Sequence, residues 1–357
     1  MTDRHRIDGH KLHFHPDRVA DWASGKLVYP IYVEIAPAGA CNHRCTFCAV
    51  DYIGYVVRLL DADVLKERLT EMGRLGVKSA MYAGEGEPLL HKRLAEIIVH
   101  GKRAGIDNAI TTNAVALTDR FAQEALPATA WIKASINAGT RESYAKVHQT
   151  DEKDWDRVWA NLANAVRVRA ALRAGCTLGA QMLLLPENLE SAVELAQRCK
   201  DAGLDYLVVK PYSQHLMSVT RQYEGIDYAP HLHLADQLET LNGDGFHVVF
   251  RRHTMEKLAD PDRHYAKCMA TPHFWAYIMA HGDLYGCSAY LLDDRFLYGN
   301  ILRETFEQIW TGERRRRNQA FVERELDISE CRKNCRMDEV NRYLWELKHP
   351  SAHVNFI

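Results

Sequence analysis

Between Tyr29 and Lys210, apolar runs of five to eight residues alternate with stretches of helical spacing, and this alternation constrains the fold more than any other feature of the chain. Ile31–Ala36, Lys78–Ala83, Asn108–Thr112, Trp131–Ile136, Leu178–Leu185 and Tyr206–Lys210 read as strands. Between them, Ala62–Gly76, His91–Gly105, Asp119–Leu126, Asp154–Ala174 and Asn188–Gly203 place apolar residues at helical intervals, and the last closes on a glycine suited to a C-cap. Strands separated by helices pair in parallel through right-handed crossovers. In such α/β folds the chemistry gathers at the C-terminal ends of the strands.

The first strand leads directly into Cys41-Asn42-His43-Arg44-Cys45-Thr46-Phe47-Cys48. Three thiols this close do not make a disulfide framework, and no fourth ligand lies nearby to close a zinc site. The spacing suits an iron–sulfur cluster, with a structural metal knuckle as the alternative. Three ligands on a four-iron cube leave one iron open to a cofactor. The other strand ends are polar as well. Gly84-Glu85-Gly86-Glu87-Pro88 follows strand two, Thr111-Thr112-Asn113 closes strand three, Ser135 and Asn137 sit on strand four, and Gln181 and Met182 on strand five. Singly, each is an ordinary turn or a satisfied polar group; together they mark one end of the sheet.

Cys-x-x-x-Cys-x-x-Cys with an aromatic, Phe47, before its last cysteine resembles the signature of the radical S-adenosylmethionine (SAM) superfamily. The resemblance implies a partial (β/α)6 TIM-type barrel. It implies a [4Fe–4S] cluster on Cys41, Cys45 and Cys48, with SAM chelated at the open iron and cleaved reductively to a 5′-deoxyadenosyl radical. The turn after strand two resembles the family's Gly-Gly-Glu-Pro motif, with Glu85 in place of the first glycine. Glu87 is then expected to accept hydrogen bonds from the SAM amino group, with Gly86 and Pro88 shaping a close backbone approach. Thr112-Asn113 resembles a Thr-Asn-Gly turn, with Ala114 for the glycine. By the same resemblance Ser135 and Asn137 contact SAM, and Gln181 faces its ribose and adenine.

A second cysteine set follows. Cys268 and Cys287 flank Gly282, and Cys331-Arg332-Lys333-Asn334-Cys335 comes later. This spacing, with Tyr298-Gly299-Asn300-Ile301 and Phe306-Glu307-Gln308-Ile309-Trp310, resembles the SPASM/twitch extension of radical SAM enzymes. The resemblance implies one auxiliary [4Fe–4S] cluster on Cys268, Cys287, Cys331 and Cys335 in a small α+β domain; a four-thiolate zinc site is the alternative. Cys176 and Cys199 read as core thiols. The expected division is an N-terminal arm (1–28), a core barrel (29–245), an auxiliary-cluster domain (246–340) and a tail (341–357). The arm carries His5, His10, His13 and His15 without regular spacing and reads as solvated surface. Residues 303–324 read as one helix, with Arg314–Arg317 on a solvated face.

A net charge of −2 gives no sign of nucleic acid or an anionic membrane as partner. No apolar run approaches the ~20 residues that span a bilayer, and no h-region follows the first residues. Nine cysteines with no secretory signal point to the cytoplasm and to metal ligation. The expected reductant is a cytosolic flavodoxin or ferredoxin.

A fully ligated auxiliary cluster suits electron transfer, and neither spare cysteine is placed to donate hydrogen. Both points favour dehydrogenation over epimerisation, cyclisation or elimination. Peptide maturases of the family often carry a leader-binding segment of ~80 residues, and the few residues before Cys41 and after Cys335 leave no room for one. The expected substrate is therefore a small polar molecule: a sugar, an aminocyclitol or a nucleotide-linked sugar. Glu34, Lys210 and His215 are the candidate proton-transfer residues, and Tyr52, Tyr55 and Gln214 further candidates to hold the substrate.

Overall fold

The computed structural model describes residues 6–243, 245–260 and 262–356. A short helix α1 (Pro16–Ala23) precedes β1 (Tyr32–Ile35). Then come α2 (Ala62–Arg74), β2 (Ser79–Tyr82), α3 (Leu94–Arg103), β3 (Asp107–Thr112), α4 (Asp119–Ala125) and β4 (Thr129–Ser135). Two helices, α5 (Arg141–His148) and α6 (Lys153–Leu172), lead to β5 (Thr177–Leu184), α7 (Ala192–Asp201) and β6 (Tyr206–Pro211). After α8 (Leu234–Glu239), β7 (His247–Phe250) and α9 (Arg252–Ala259), a hairpin region contains β8 (Trp275–Ile278), β9 (Asp283–Tyr285) and β10 (Leu297–Asn300). Helices α10 (Phe306–Thr311), α11 (Glu313–Arg324) and α12 (Asp338–Lys348) close the chain.

All ten strands form one sheet in the order β10-β9-β8-β1-β2-β3-β4-β5-β6-β7. The pairs from β8 to β7 are parallel, and β9 and β10 add antiparallel. The six expected strand–helix units are present, and the sheet ends in two edges, as a partial barrel does. Its helix-facing core packs Leu65, Leu69 and Met72 of α2, Ile97 and Ile98 of α3, and Val158 and Leu162 of α6 over the strands. Cys176 and Cys199 belong to this core.

Four features differ from the sequence reading. The boundary at 245/246 cuts off β7, yet β7 pairs in parallel with β6 and so belongs to the core sheet. Likewise β8 pairs in parallel with β1, so the C-terminal region is continuous with the core through one sheet. The boundary at 340 falls inside α12. Leu344 on that helix packs with Leu12, Val19, Trp22 and Phe274, so the first residues and the tail meet in one apolar cluster. His5 lies outside the described residues. Finally, Gly312 divides the single helix expected over 303–324, and Arg315 turns inward to donate from Nε to the Pro272 carbonyl (3.1 Å) and from Nη1 to the Trp310 carbonyl (3.2 Å). Its neighbours on the helix supply the solvated face. Among the described residues no helix is long and apolar enough to cross a membrane.

Candidate active site

The cysteine loop after β1 is closed at its base and pinned along its length. Gly39 N–H donates to the Arg58 carbonyl and Leu60 N–H to the Pro37 carbonyl, and Ala38 and Leu59 form an antiparallel bridge. Further along, Arg44 and Thr46 donate backbone N–H bonds to the His148 and Val147 carbonyls at the end of α5 (3.1 and 2.9 Å). This docking brings His148 Nδ1 within 3.1 Å of Cys45 Sγ, while His148 Nε2 is 2.8 Å from the Ile136 carbonyl. Phe47 packs edge-on against the same ring.

Burial pushes the Cys41 thiol up to about 11, and it raises Cys45 and Cys48 as well. For Cys45 the crowding of the other two sulfurs adds to burial. Three half-buried thiols that resist ionisation together need a shared multivalent cation to become thiolates.

The turn after β2 wedges against this loop. A Cβ on Gly86 would lie 2.3 Å from the Ala40 carbonyl oxygen, so the close backbone approach serves the cysteine loop itself. Glu87 N–H donates to that same carbonyl (2.8 Å). The Glu87 carboxylate is buried and accepts from Thr112 Oγ1 (2.6 Å), Asn113 N–H (2.8 Å) and Leu89 N–H (3.0 Å). It therefore ties the β2 turn to the β3 turn, and Pro88 opens the short 3-10 turn that supplies Leu89. Burial raises this carboxyl, with the three donors opposing. Asn113 Nδ2 donates to Asn42 Oδ1 (2.8 Å), binding the β3 end to the cysteine motif.

On the neighbouring strand ends, Ser135 and Gln181 lie opposite each other, and Gln181 Nε2 donates to Ser135 Oγ (3.0 Å). Asn137 Oδ1 accepts from Leu183 N–H (2.8 Å). Among the described residues, Gln181 Oε1 and Asn137 Nδ2 are buried with no hydrogen-bond partner in the protein.

The second set of cysteines converges in space. Cys268, Cys287, Cys331 and Cys335 all line one small cavity of about 40 Å³, walled by Tyr265, Trp275, Tyr290 and Phe296. Asn341 on α12 holds the first of them. Its Oδ1 accepts from Met269 N–H and Ala270 N–H (2.7 and 2.8 Å), and its Nδ2 is 3.5 Å from Cys268 Sγ. Tyr290 OH is 3.4 Å from Cys331 Sγ. Burial pushes the Cys335 thiol up to about 12 and raises Cys287 and Cys331 too.

Between the two cysteine sites lies a cavity of about 420 Å³. Phe47 and Ala49 of the first loop line it, as do Cys335 and Arg336 of the second set, with Lys133 of β4 and Lys210 of β6. The three candidate proton-transfer residues fare differently here. Lys210 faces the cavity, and burial together with the nearby Lys133, Arg251, Arg336 and Arg332 drives its ammonium well below the usual lysine range. Glu34 is spent on an ion pair with Arg336 Nη2 (3.0 Å) and a contact with Tyr32 OH (3.4 Å). His215 Nδ1 accepts from Met217 N–H (3.1 Å), and Nε2 donates to the Ser288 carbonyl (3.1 Å), which leaves no ring nitrogen for a substrate. Its ring stacks on Tyr52, and Tyr55 lies under the Arg44 guanidinium, while Gln214 bonds within its own loop.

Sequence reasoning missed His148, Asn341, Lys133 and Arg332. The Thr140-Arg141-Glu142-Ser143 capping box was the one local signal for α5 and hence for His148. A lysine inside the apolar run Trp131–Ile136 was the signal for Lys133.

Comparison with known proteins accords with this geometry. The radical SAM superfamily model matches residues 35–199, and an iron–sulfur cluster-binding domain, SPASM, matches residues 268–336. GTP 3′,8-cyclase of Chlorobaculum tepidum is 26% identical over 203 residues, 55% of this chain and 58% of that one. The dTDP-4-amino-4,6-dideoxy-D-glucose ammonia-lyase of Streptomyces venezuelae is 30% identical over 188 residues, 50% of this chain and 38% of that one. The chain thus spans about half the length of these curated relatives. Among solved structures, SuiB of Streptococcus suis bound to S-adenosylmethionine shares the fold, with a TM-score of 0.67 at 18% identity over 95% of this chain and 79% of that one. Seven thiols in two sets, one on a loop beside polar strand ends and one lining a single small cavity, fit the groups such proteins hold. The chain belongs to the radical SAM superfamily, carries a C-terminal SPASM domain, and binds SAM and two [4Fe–4S] clusters.

Proposed function

We propose that this enzyme dehydrogenates a small polar substrate, a sugar, aminocyclitol or nucleotide-linked sugar, held in the cavity between the two cysteine sites. The observation that carries the reading is the cavity's reach: Phe47 of the first loop and Cys335 of the second set share its wall. When bound, SAM and its cluster supply a 5′-deoxyadenosyl radical, and the auxiliary cluster a one-electron acceptor. Cys41, Cys45 and Cys48 hold the first cluster, and Cys268, Cys287, Cys331 and Cys335 the second. Glu87, Thr112, Asn113, Ser135, Asn137 and Gln181 form the SAM-binding strand ends. The substrate loses one hydrogen atom, one proton and one electron in all, and Lys210, whose ammonium is disfavoured by burial and then by its cationic neighbours, takes the proton. The reaction is assigned to the cytoplasm, with a flavodoxin or ferredoxin as reductant.

The test is anaerobic incubation with SAM, dithionite and a panel of sugars, aminocyclitols and nucleotide sugars, followed by mass spectrometry. A product lighter by two hydrogens, formed one-for-one with 5′-deoxyadenosine, supports the reading. A product isomeric with its substrate, or turnover of a peptide alone, defeats it.

A further inference from the structure

The cavity between the cysteine sites is strongly and unevenly charged. Six cationic side chains line it: Lys133, Lys210, Arg251, Lys257, Arg332 and Arg336. Four carboxylates answer some of them. Arg251 Nε meets Asp8 (2.9 Å), Arg336 meets Glu34 (3.0 Å), and Lys257 lies between Asp338 (2.8 Å) and Glu339. Among the described residues, Lys133, Lys210 and Arg332 have no carboxylate within ion-pair distance. The Trp131 ring lies beneath Lys133 (5.5 Å), and among the described residues the Arg332 guanidinium makes no hydrogen bond.

Like charges crowded into a partly dry cavity oppose one another, and a fold keeps them there at a cost. Burial and the surrounding cations push the Lys210 ammonium well below the usual lysine range. Lys133 yields less: burial and the neighbouring guanidiniums lower it only to about 8, so it stays charged at neutral pH. Arg332 cannot discharge at all. Two cations with no carboxylate in ion-pair contact therefore remain, an ammonium from β4 and a planar guanidinium from the Cys331–Cys335 segment. They approach the cavity from the core sheet and from the auxiliary-cluster domain. Terminal nitrogens of Arg251, whose Nε donates to Asp8, add a third donor group. A point charge and a fork of N–H donors around one space match the tetrahedral, multiply charged oxygens of a phosphoryl group.

We infer that Lys133 and Arg332, assisted by Arg251, hold a phosphoryl group of the substrate, so that this enzyme acts on a phosphate or diphosphate ester. The inference rests on the proposal that this cavity is the substrate site, and it narrows the substrate to the phosphorylated members of that class. It also gives Arg332 a reason to lie between two cluster ligands. Phosphate binding would couple the core sheet to the auxiliary-cluster domain across the reaction space.

The experiment uses anaerobically reconstituted holoenzyme with SAM bound and measures binding of inorganic pyrophosphate and inorganic phosphate by calorimetry. Pyrophosphate is expected to bind once per chain. Lys133→Gln and Arg332→Gln should each weaken it about tenfold or more, while Lys133→Arg retains binding and Arg314→Gln, on the exposed face of α11, leaves it unchanged. Iron content and circular dichroism of each variant show whether it has folded, and Lys133→Arg keeps the test decisive should Lys133→Gln fail to fold. Uridine diphosphate and glucose 1-phosphate then serve as competitors. Whichever competes at the lower concentration names the source, nucleotide-linked or simple ester, and either order sustains the inference. Absence of saturable binding by the wild type, or equal binding by the two glutamine variants, overturns it. The same samples are assayed for 5′-deoxyadenosine in dithionite. If that forms while no phosphate binds, the phosphoryl inference falls alone and the radical reading stands.

Discussion

The first cysteine loop occupies eight residues and is docked through its own backbone, whereas the second set is collected from positions 268 to 335 and is held by side-chain bonds between separate segments of the chain. Backbone bonds from Arg44 and Thr46 fasten the first loop to α5, and side-chain bonds from Asn113 and Ser218 fasten it to the β3 turn and to the loop after β6. Among the described residues the backbone–backbone bonds of the Cys331–Cys335 segment are local, Cys331 to Ile328 and Asp338 to Cys335, and its non-local bonds run through side chains: Arg263 to the Cys331 carbonyl, Lys333 to the Leu258 and Asp260 carbonyls (3.1 and 2.9 Å) and Asn334 to the Thr254 carbonyl (3.0 Å). Its surroundings are aromatic rings. A preformed loop can lose its metal and keep its shape. A site assembled from dispersed ligands depends on the metal for part of its folding energy.

The largest expected effects break this comparison at its two centres. Replacing Cys41, Cys45 and Cys48 together by Ala should abolish 5′-deoxyadenosine formation in dithionite. The melting temperature should stay close to that of the wild type, because the loop keeps its protein contacts. Residual 5′-deoxyadenosine from the triple variant sinks the assignment of the SAM site. Cys335→Ala should act the other way round. Iron should fall from about eight to about four per chain, and the melting temperature should drop by several degrees. SAM should still be cleaved, with little oxidised product. Zinc in the second site of the wild type, or normal turnover by Cys335→Ala, removes the electron-acceptor role.

The same contrast explains what could be read from sequence. Most of what is local was legible: six strands, five helices, the tight cysteine motif and the polar strand ends. Their signals are spacings of two to eight residues. What failed was non-local. β7 and β8 are short apolar runs whose parallel partners, β6 and β1, are named by no local pattern. The ion pair that engages Glu34 joins residues 34 and 336, and His215 is bonded to the Ser288 carbonyl. The crowding of Lys133 appears only when Arg251 and Arg336 are brought near it. α5 failed for another reason: Arg141–His148 has few apolar positions and begins on a capping box rather than on an apolar stripe.

Within the first site, Glu87→Gln sharpens the picture. The amide keeps one acceptor oxygen but turns an N–H2 group towards one of the donors from Thr112, Asn113 and Leu89. SAM affinity should fall about tenfold or more through loss of a charge-assisted bond, with iron content unchanged. Unaltered SAM affinity removes Glu87 from the cofactor site and leaves it a structural clasp. Within the second site, Asn341→Ala strands the Met269 and Ala270 N–H groups, at a cost of about 1–3 kcal/mol in urea unfolding. It should also speed loss of the auxiliary iron to a chelator while the SAM cluster stays. Equal loss from both clusters would show that Asn341 supports the whole fold rather than the second site.

Glu85 makes the smallest and most discriminating test, because it sits in the SAM-site motif yet reaches into the other region. Its carboxylate is buried, and Oε1 accepts from Ala280 N–H (2.7 Å) in the turn between β8 and β9. β9 runs on to Cys287 two residues later, so this bond joins the first site's turn to the strand that delivers an auxiliary ligand. Glu85→Gly restores the glycine of the family motif and leaves one buried N–H without an acceptor, at about 1 kcal/mol. Glu85→Gln keeps an acceptor oxygen in place and should lose less. If the two regions are built separately and coupled here, Glu85→Gly should speed hydrogen exchange at Ala280 and lower the ratio of oxidised product to 5′-deoxyadenosine, with SAM affinity untouched. Weakened SAM binding with slow exchange at Ala280 would place Glu85 in the cofactor site, and the coupling between the regions would then have to run through Glu34 and Arg336 instead.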